Sequence, residues 1–159
     1  MSSLKHFTVE EARTLLPKLR QLLLDANEEL EKLSRRLEHT NHRFELAEHK
    51  LAGLKATSKI ESELEEMRDN RVEFQAAIEQ LSQAQQQYLE RLNVWVDKIT
   101  GTGVILRDLR TGLLDFPAMQ GKFEYMLCWK LSDSDIDYWH QTNDGFIGRR
   151  PLAVLSEYF

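Results

Sequence analysis

The sequence predicts an α+β protein. A long antiparallel helical hairpin with coiled-coil-like spacing is followed by a small three-stranded antiparallel β-meander with a short helix and a tail. Three observations carry this reading. Six of the seven glycines (positions 101, 103, 112, 121, 145 and 148) and nine of the fourteen aromatic residues lie at or after residue 101. The first hundred residues are rich in Glu, Leu, Gln, Arg and Ala, all good helix formers. Their apolar positions recur at alternating steps of four and three, and after residue 103 the period switches to two. The organisation expected is residues 1–100 as hairpin, with its turn near 53–58, and residues 101–159 as an α+β head packed on the hairpin base.

The first arm opens at Thr8, which with Glu11 forms a capping box, the Thr hydroxyl accepting from the Glu11 amide. The seam then runs Ala12, Leu16, Leu19, Leu23, Ala26, Leu30, Leu33, Leu37, Thr40, Phe44, Ala47, Leu51 and Leu54. Pro17 predicts either a kink or a short first helix that ends there. A second capping box, Ser58 with Glu61, opens the second arm. Its seam reads Ile60, Leu64, Met67, Arg71, Phe74, Ile78, Leu81, Gln85, Tyr88, Leu92, Trp95 and Ile99, and Gly101 to Gly103 ends it. Each arm would run about 60–70 Å at 1.5 Å per residue. A turn centred near 56–57 sets Thr40 opposite Arg71–Phe74. The polar seam residues Thr40, Arg71 and Gln85 would fix register. Near the open end, Leu15, Leu22 and Leu24 on one arm and Leu89, Val94 and Val96 on the other widen the apolar stripe. That extra width calls for a third partner, either the C-terminal piece or a second hairpin.

In the head, residues 104–109 and 113–116 read as strands around a turn at Gly112, with Pro117 stopping the second. Residues 123–131 make the third strand, with Phe123, Tyr125, Leu127, Trp129 and Leu131 on one face and Glu124, Met126, Cys128 and Lys130 on the other. Ser132 to Asp135 reads as a helix start, giving a short helix over 136–142 that carries Tyr138, Trp139 and His140. Residues 145–151 form a loop, and 152–159 a last strand or an apolar tail laid across the sheet.

Charge and composition narrow the function. Twenty-one Lys and Arg against 26 Asp and Glu leave a net charge of −5, which argues against a general nucleic-acid binder. A single cysteine, Cys128, excludes an internal disulfide and a CxxC zinc framework. No apolar run nears the ~18 residues of a membrane span, and the first residues lack a signal-peptide core. The expectation is a soluble cytoplasmic protein that engages neither nucleic acid nor membrane.

The sharpest constellation lies in the head. A β-turn centred near 119–120 sets Asp115 opposite Glu124 or Tyr125; in the Glu124 register Asp115, Glu124 and Cys128 share one face, over which His140 would fold from the helix, and a slip of one residue moves Asp115 off that face. Two carboxylates, a thiol and an imidazole form a ligand set for zinc or iron. The bland alternative makes Cys128 a small buried hydrophobe and Asp115 a turn residue. Cys128 and His140 also form a nucleophile–base pair on paper, with Asp115 as orienter. Residues 145–150, with Arg149 and neighbouring Trp139, suggest a ligand-binding loop; against that, Arg149 would pair with Asp115 or Asp144 to hold the tail. The Asp133, Asp135, Asp137 triplet lacks the glycine that an EF-hand needs, since Tyr138 stands there. His39, His42, Glu45, Glu48 and His49 recur at helical spacing on the arm, but off the apolar seam, as solvated charge.

The order of motifs resembles the uncharacterised prokaryotic family catalogued as domain of unknown function 2203. The matching residues are Phe7, Thr8, Glu10, Glu11 and Ala12; Leu15, Leu16 and Pro17; Gly112, Asp115, Phe116 and Pro117; Leu127, Cys128 and Trp129; Tyr138, Trp139 and His140; and Gly145, Phe146, Gly148, Arg149 and Pro151. This resemblance spans nearly the whole chain and implies a shared fold and polar signature without supplying an activity. Where relatives often carry Gly-Glu after the Cys-Trp strand, this chain has Ser132 and Asp133.

Two functions are therefore in play. The first is a non-enzymatic interaction or scaffold protein whose hairpin holds a protein partner or a second copy as a homodimer. The second is a metal- or small-ligand-binding protein, with or without catalysis, whose site gathers Asp115, Glu124, Cys128, His140 and Arg149.

Overall fold

Helix α1 (Val9–Gly53) starts where Thr8 caps it, the Glu11 amide donating to Thr8 Oγ1 at 3.1 Å. The computed structural model describes residues 4–53 and 61–159, and side chains at all of these but 61 and 62. α1 runs through Pro17 without breaking into two helices. Helix α2 (Glu61–Thr100) packs antiparallel to it as a hairpin. The expected turn and the second capping box, with Leu54, Ser58 and Ile60, lie outside the described residues. The chain forms two compact units, Met1–Glu28 with Asn93–Phe159, and Glu29–Leu92.

In the Glu29–Leu92 unit, α1 presents its predicted seam: Leu30, Thr40 and Ala47 are buried, and the residues between at the same spacing are half-buried. Thr40 satisfies its hydroxyl on the Leu37 carbonyl at 2.9 Å. The seam of α2 differs from expectation. Ala77 and Ala84 are buried, while Ile78 and Leu64 are 41% and 43% exposed and Arg71 and Gln85 lie in solvent. Ala77 thus takes the seam position that Ile78 had claimed by hydrophobicity, and Ala84 the one that spacing had given to Gln85. The arms also pair farther along α2 than a turn near 56–57 implies. Phe44 stacks on Phe74 with centroids 5.5 Å apart, whereas the expected turn would face it with residue 69. Arg36 donates to Gln87 at 2.5 Å, Lys50 pairs with Glu73 at 3.5 Å, and Arg91 donates to Glu29 at 3.0 Å.

In the other unit, five antiparallel strands follow one another in sheet order: β1 (Ile105–Asp108), β2 (Leu113–Gln120), β3 (Phe123–Trp129), β4 (Tyr138–Gln141) and β5 (Arg150–Pro151). The meander is thus five-stranded, not three-stranded. Two local corrections explain the difference. Pro117 does not stop β2: its carbonyl accepts from the Phe7 amide at 2.7 Å, so its backbone polar edge faces away from β3 and the missing N–H costs the ladder nothing. The expected helix over 136–142 is instead β4, each residue paired with β3. The acids before it serve turns rather than a helix N-terminus. Asp133 Oδ2 accepts from the Lys130 amide, and Asp135 Oδ1 from the Ile136 amide. Residues 138–140 then alternate, with Trp139 on one face and Tyr138 and His140 on the other, which aromatic residues favour on a pleated surface.

The inner sheet face carries Leu114, Phe116, Ala118, Leu127, Trp129 and Trp139, packed with Ala12, Leu16, Leu19, Leu23 and Ile99 of the helices. Of the residues that widen the stripe, Leu15 and Leu22 pack on this core, while Leu24 and Leu89 are 49% and 58% exposed. Arg20 fastens α1 to the β3–β4 connection, donating to the Leu131 and Asp133 carbonyls at 3.0 and 3.2 Å. Gly121, at φ +59, makes the tight β2–β3 turn. Residues 152–158 form a 3-10 helix rather than a strand, and Tyr158 and Phe159 pack on Trp139, Phe123 and Tyr125.

Candidate metal centre

On the outer face of the same sheet, three adjacent strands each contribute one polar side chain. Asp115 of β2 stands directly opposite Cys128 of β3, and Cys128 opposite Tyr138 of β4, which is two residues along the strand from His140 on the same face. Asp115, Cys128 and His140 are 2%, 1% and 1% exposed. One ligand-type atom from each lies within 4.8 Å of the others. A tetrahedral ion with bonds of about 2.0–2.3 Å holds its donors roughly 3.3–3.8 Å apart, so the trio needs little adjustment to close on one. Among the described residues no other His, Cys, Asp and Glu group comes together this way.

Hydrogen bonds fix the trio. His140 Nδ1 lies 2.7 Å from the Gln141 carbonyl, which can only accept, so Nδ1 carries a proton. That leaves Nε2 directed at Asp115 Oδ1, 2.9 Å away. The other carboxylate oxygen, Oδ2, accepts from Arg107 Nε at 2.8 Å. An imidazole held by a backbone carbonyl at Nδ1, with Nε2 turned to the ligand cluster, is the second-shell arrangement of a metal-bound histidine.

Protonation follows from these contacts. Burial opposes charge on His140, but its hydrogen bonds to Asp115 and the Gln141 carbonyl, with the carboxylate's charge, outweigh burial and hold its pKa above the ordinary value. Burial and the Asp115 charge push the Cys128 thiol up to about 12, against a smaller opposing pull from Arg149. A thiol so held is protonated at neutral pH, and the nucleophile–base expectation loses its nucleophile. An ion would displace that proton, since thiolate is the ligating form.

A pocket of about 400 Å³ opens onto the trio, its further walls formed by Arg107, Leu113 and residues 142–146. Of the other expected site residues, Glu124, Trp139 and Arg149 do not line this pocket. Glu124 shares the outer face but faces Met119 and contacts His6 Nε2 at 3.4 Å; four residues of strand, roughly 13 Å, separate it from Cys128. The β-turn is centred near 121–122 rather than 119–120, an even slip along the ladder that keeps the face and changes the neighbour. Trp139 is wholly buried on the inner face, away from the pocket. Arg149 pairs with Asp133, not Asp115 or Asp144, and its guanidinium lies 3.7 Å from the centroid of the Tyr138 ring. It fastens the C-terminal segment to the β3–β4 connection. His39, His42, Glu45, Glu48 and His49 are all exposed.

Sequence reasoning missed Arg107. Period-two alternation from the buried Val104 places it on the outer face beside Asp115, a signal present in the residues.

The chain belongs to the uncharacterised conserved family DUF2203, whose model matches residues 5–152. No curated protein and no solved structure matches the chain. No helix among the described residues is long and apolar enough to cross a membrane.

Proposed function

We propose that this DUF2203 member is a metal-binding protein whose centre is built by Asp115, Cys128 and His140. The observation that carries the reading is the convergence of three different donor types from three strands, nearly fully buried, at the floor of a pocket. A purely structural role calls for no such assembly, because a core position is satisfied more cheaply by an apolar side chain than by a carboxylate and an imidazole. The mixed oxygen, sulfur and nitrogen set suits zinc, and equally ferrous iron. Three protein ligands leave a position open toward the pocket.

Metal content of tag-free protein, purified without chelator and read by inductively coupled plasma mass spectrometry, tests this. About one equivalent of zinc or iron is expected, falling below a tenth in H140A and C128S while both variants keep the parent's circular dichroism. Metal-free parent protein that also takes up no added zinc or ferrous iron removes the proposal. A second reading, of the hairpin as an arm for a protein partner or a second copy, is favoured by the exposed Leu46, Val72 and Ile78. Sedimentation at rising concentration reads its homodimer form.

A further inference from the structure

The geometry points to a small oxyanion, a carboxylate or a phosphate, as the ligand of the pocket, held between the open position of the metal and the outer edge of Arg107. The inference rests on the metal reading and deepens it. Arg107 reaches the pocket from β1 and spends one N–H, at Nε, on Asp115 Oδ2. That bond anchors one edge of a planar guanidinium, and the side chain is 45% exposed. No acceptor among the described residues meets its two terminal nitrogens. A guanidinium fixed at one edge presents the remaining N–H groups in the fork that matches two oxygens of a carboxylate or phosphate.

Charge argues the same way. A divalent ion with one carboxylate, one thiolate and a neutral imidazole is neutral overall, and Arg107 adds a positive charge at its side. Asp144, the other acid lining the pocket, has its side chain against Gly148 and carries the opposite charge, so the positive charge that draws an anion is local to Arg107. The remaining wall offers Thr142, Asn143 and the ring of Phe146, which is 43% exposed. Polar groups together with an aromatic residue in the lining suit a small anion carrying a short organic body. Inorganic phosphate and acetate share the anionic end, and the larger benzoate adds a ring for Phe146.

Cobalt(II)-loaded protein supplies the readout, since its visible spectrum reports the ligands of the ion independently of any activity. Cobalt is first titrated in, fixing stoichiometry. Phosphate, acetate and benzoate are then added separately to the saturated protein. At least one is expected to change the cobalt spectrum with saturation at millimolar concentration or below. In R107Q, loaded to the same cobalt content, the half-saturating anion concentration should rise at least tenfold, and in R107K it should fall between the two. A phosphate response without a carboxylate response assigns the site to phosphoryl groups, and the converse to carboxylates. Cobalt uptake with a spectrum indifferent to all three anions overturns this inference and leaves the metal reading standing. So does an R107Q response equal to the parent's. Failure to take up cobalt overturns both.

Discussion

Cys128 and His140 both bind protons more tightly in the folded chain than in the unfolded one, so without metal their contributions share one sign. A group with a raised folded-state pKa stabilises fully below its unfolded pKa and loses that stabilisation as pH rises through the folded value. For His140 the loss begins above about pH 6.5, and for Cys128 it lies between its ordinary 9.0 and about 12. Metal binding runs the other way, because raising pH removes the protons that compete with the ion. Thermal unfolding of the metal-free protein should therefore give a midpoint that falls from pH 6 to pH 9, while the gain on adding zinc widens over the same range. A metal-free midpoint that rises with pH would mean that the His140–Asp115 pair does not form as described. At this scale the sequence was informative about identity and weaker about neighbours. Asp115 and Cys128 were legible as metal-ligating types on strands, and His140 as one on an expected helix that is in fact β4. Glu124 was drawn in because a hairpin's register depends on where its turn closes, and the stretch from Met119 to Lys122 allows more than one closure.

At the scale of the element, the hairpin shows where hydrophobic patterning misleads. α1 follows its leucines, and every seam position from Ala12 to Leu51 is buried or half-buried. α2 does not, because Ile78 attracted the seam away from Ala77 and Gln85 was counted where Ala84 is buried. Alanine in a seam is a weak hydrophobic signal and a strong packing constraint: it leaves no room for a larger side chain. A77L should cost about 1–3 kcal/mol by overpacking, and I78A, at a site 41% exposed, less than about 1 kcal/mol. Urea denaturation of both variants orders the two costs; the reverse order would return the seam to Ile78. β4 is the complementary case. Its acidic lead-in fits a helix N-terminus and a turn braced by Asp side chains equally well in sequence. Pairing with β3 decides between them, a long-range contact that local propensity does not report.

At the scale of the whole molecule, the helical base and the sheet form one apolar core on the inner face, while Asp115, Cys128 and His140 gather on the outer face. That division was legible in part, because a three-stranded meander with one apolar face needs a cover, while the wide hairpin stripe left the C-terminal piece and a second hairpin both open as its partner. What the sequence withheld was strand count and the convergence of β2, β3 and β4 at a single buried point. The account turns on that convergence. X-ray absorption at the zinc edge of the metal-loaded protein tests it most directly. We expect one sulfur at about 2.3 Å and nitrogen or oxygen neighbours at about 2.0–2.1 Å, with the sulfur lost in C128S. A shell of nitrogen and oxygen alone would contradict the account, because an ion held there would not be held by Cys128.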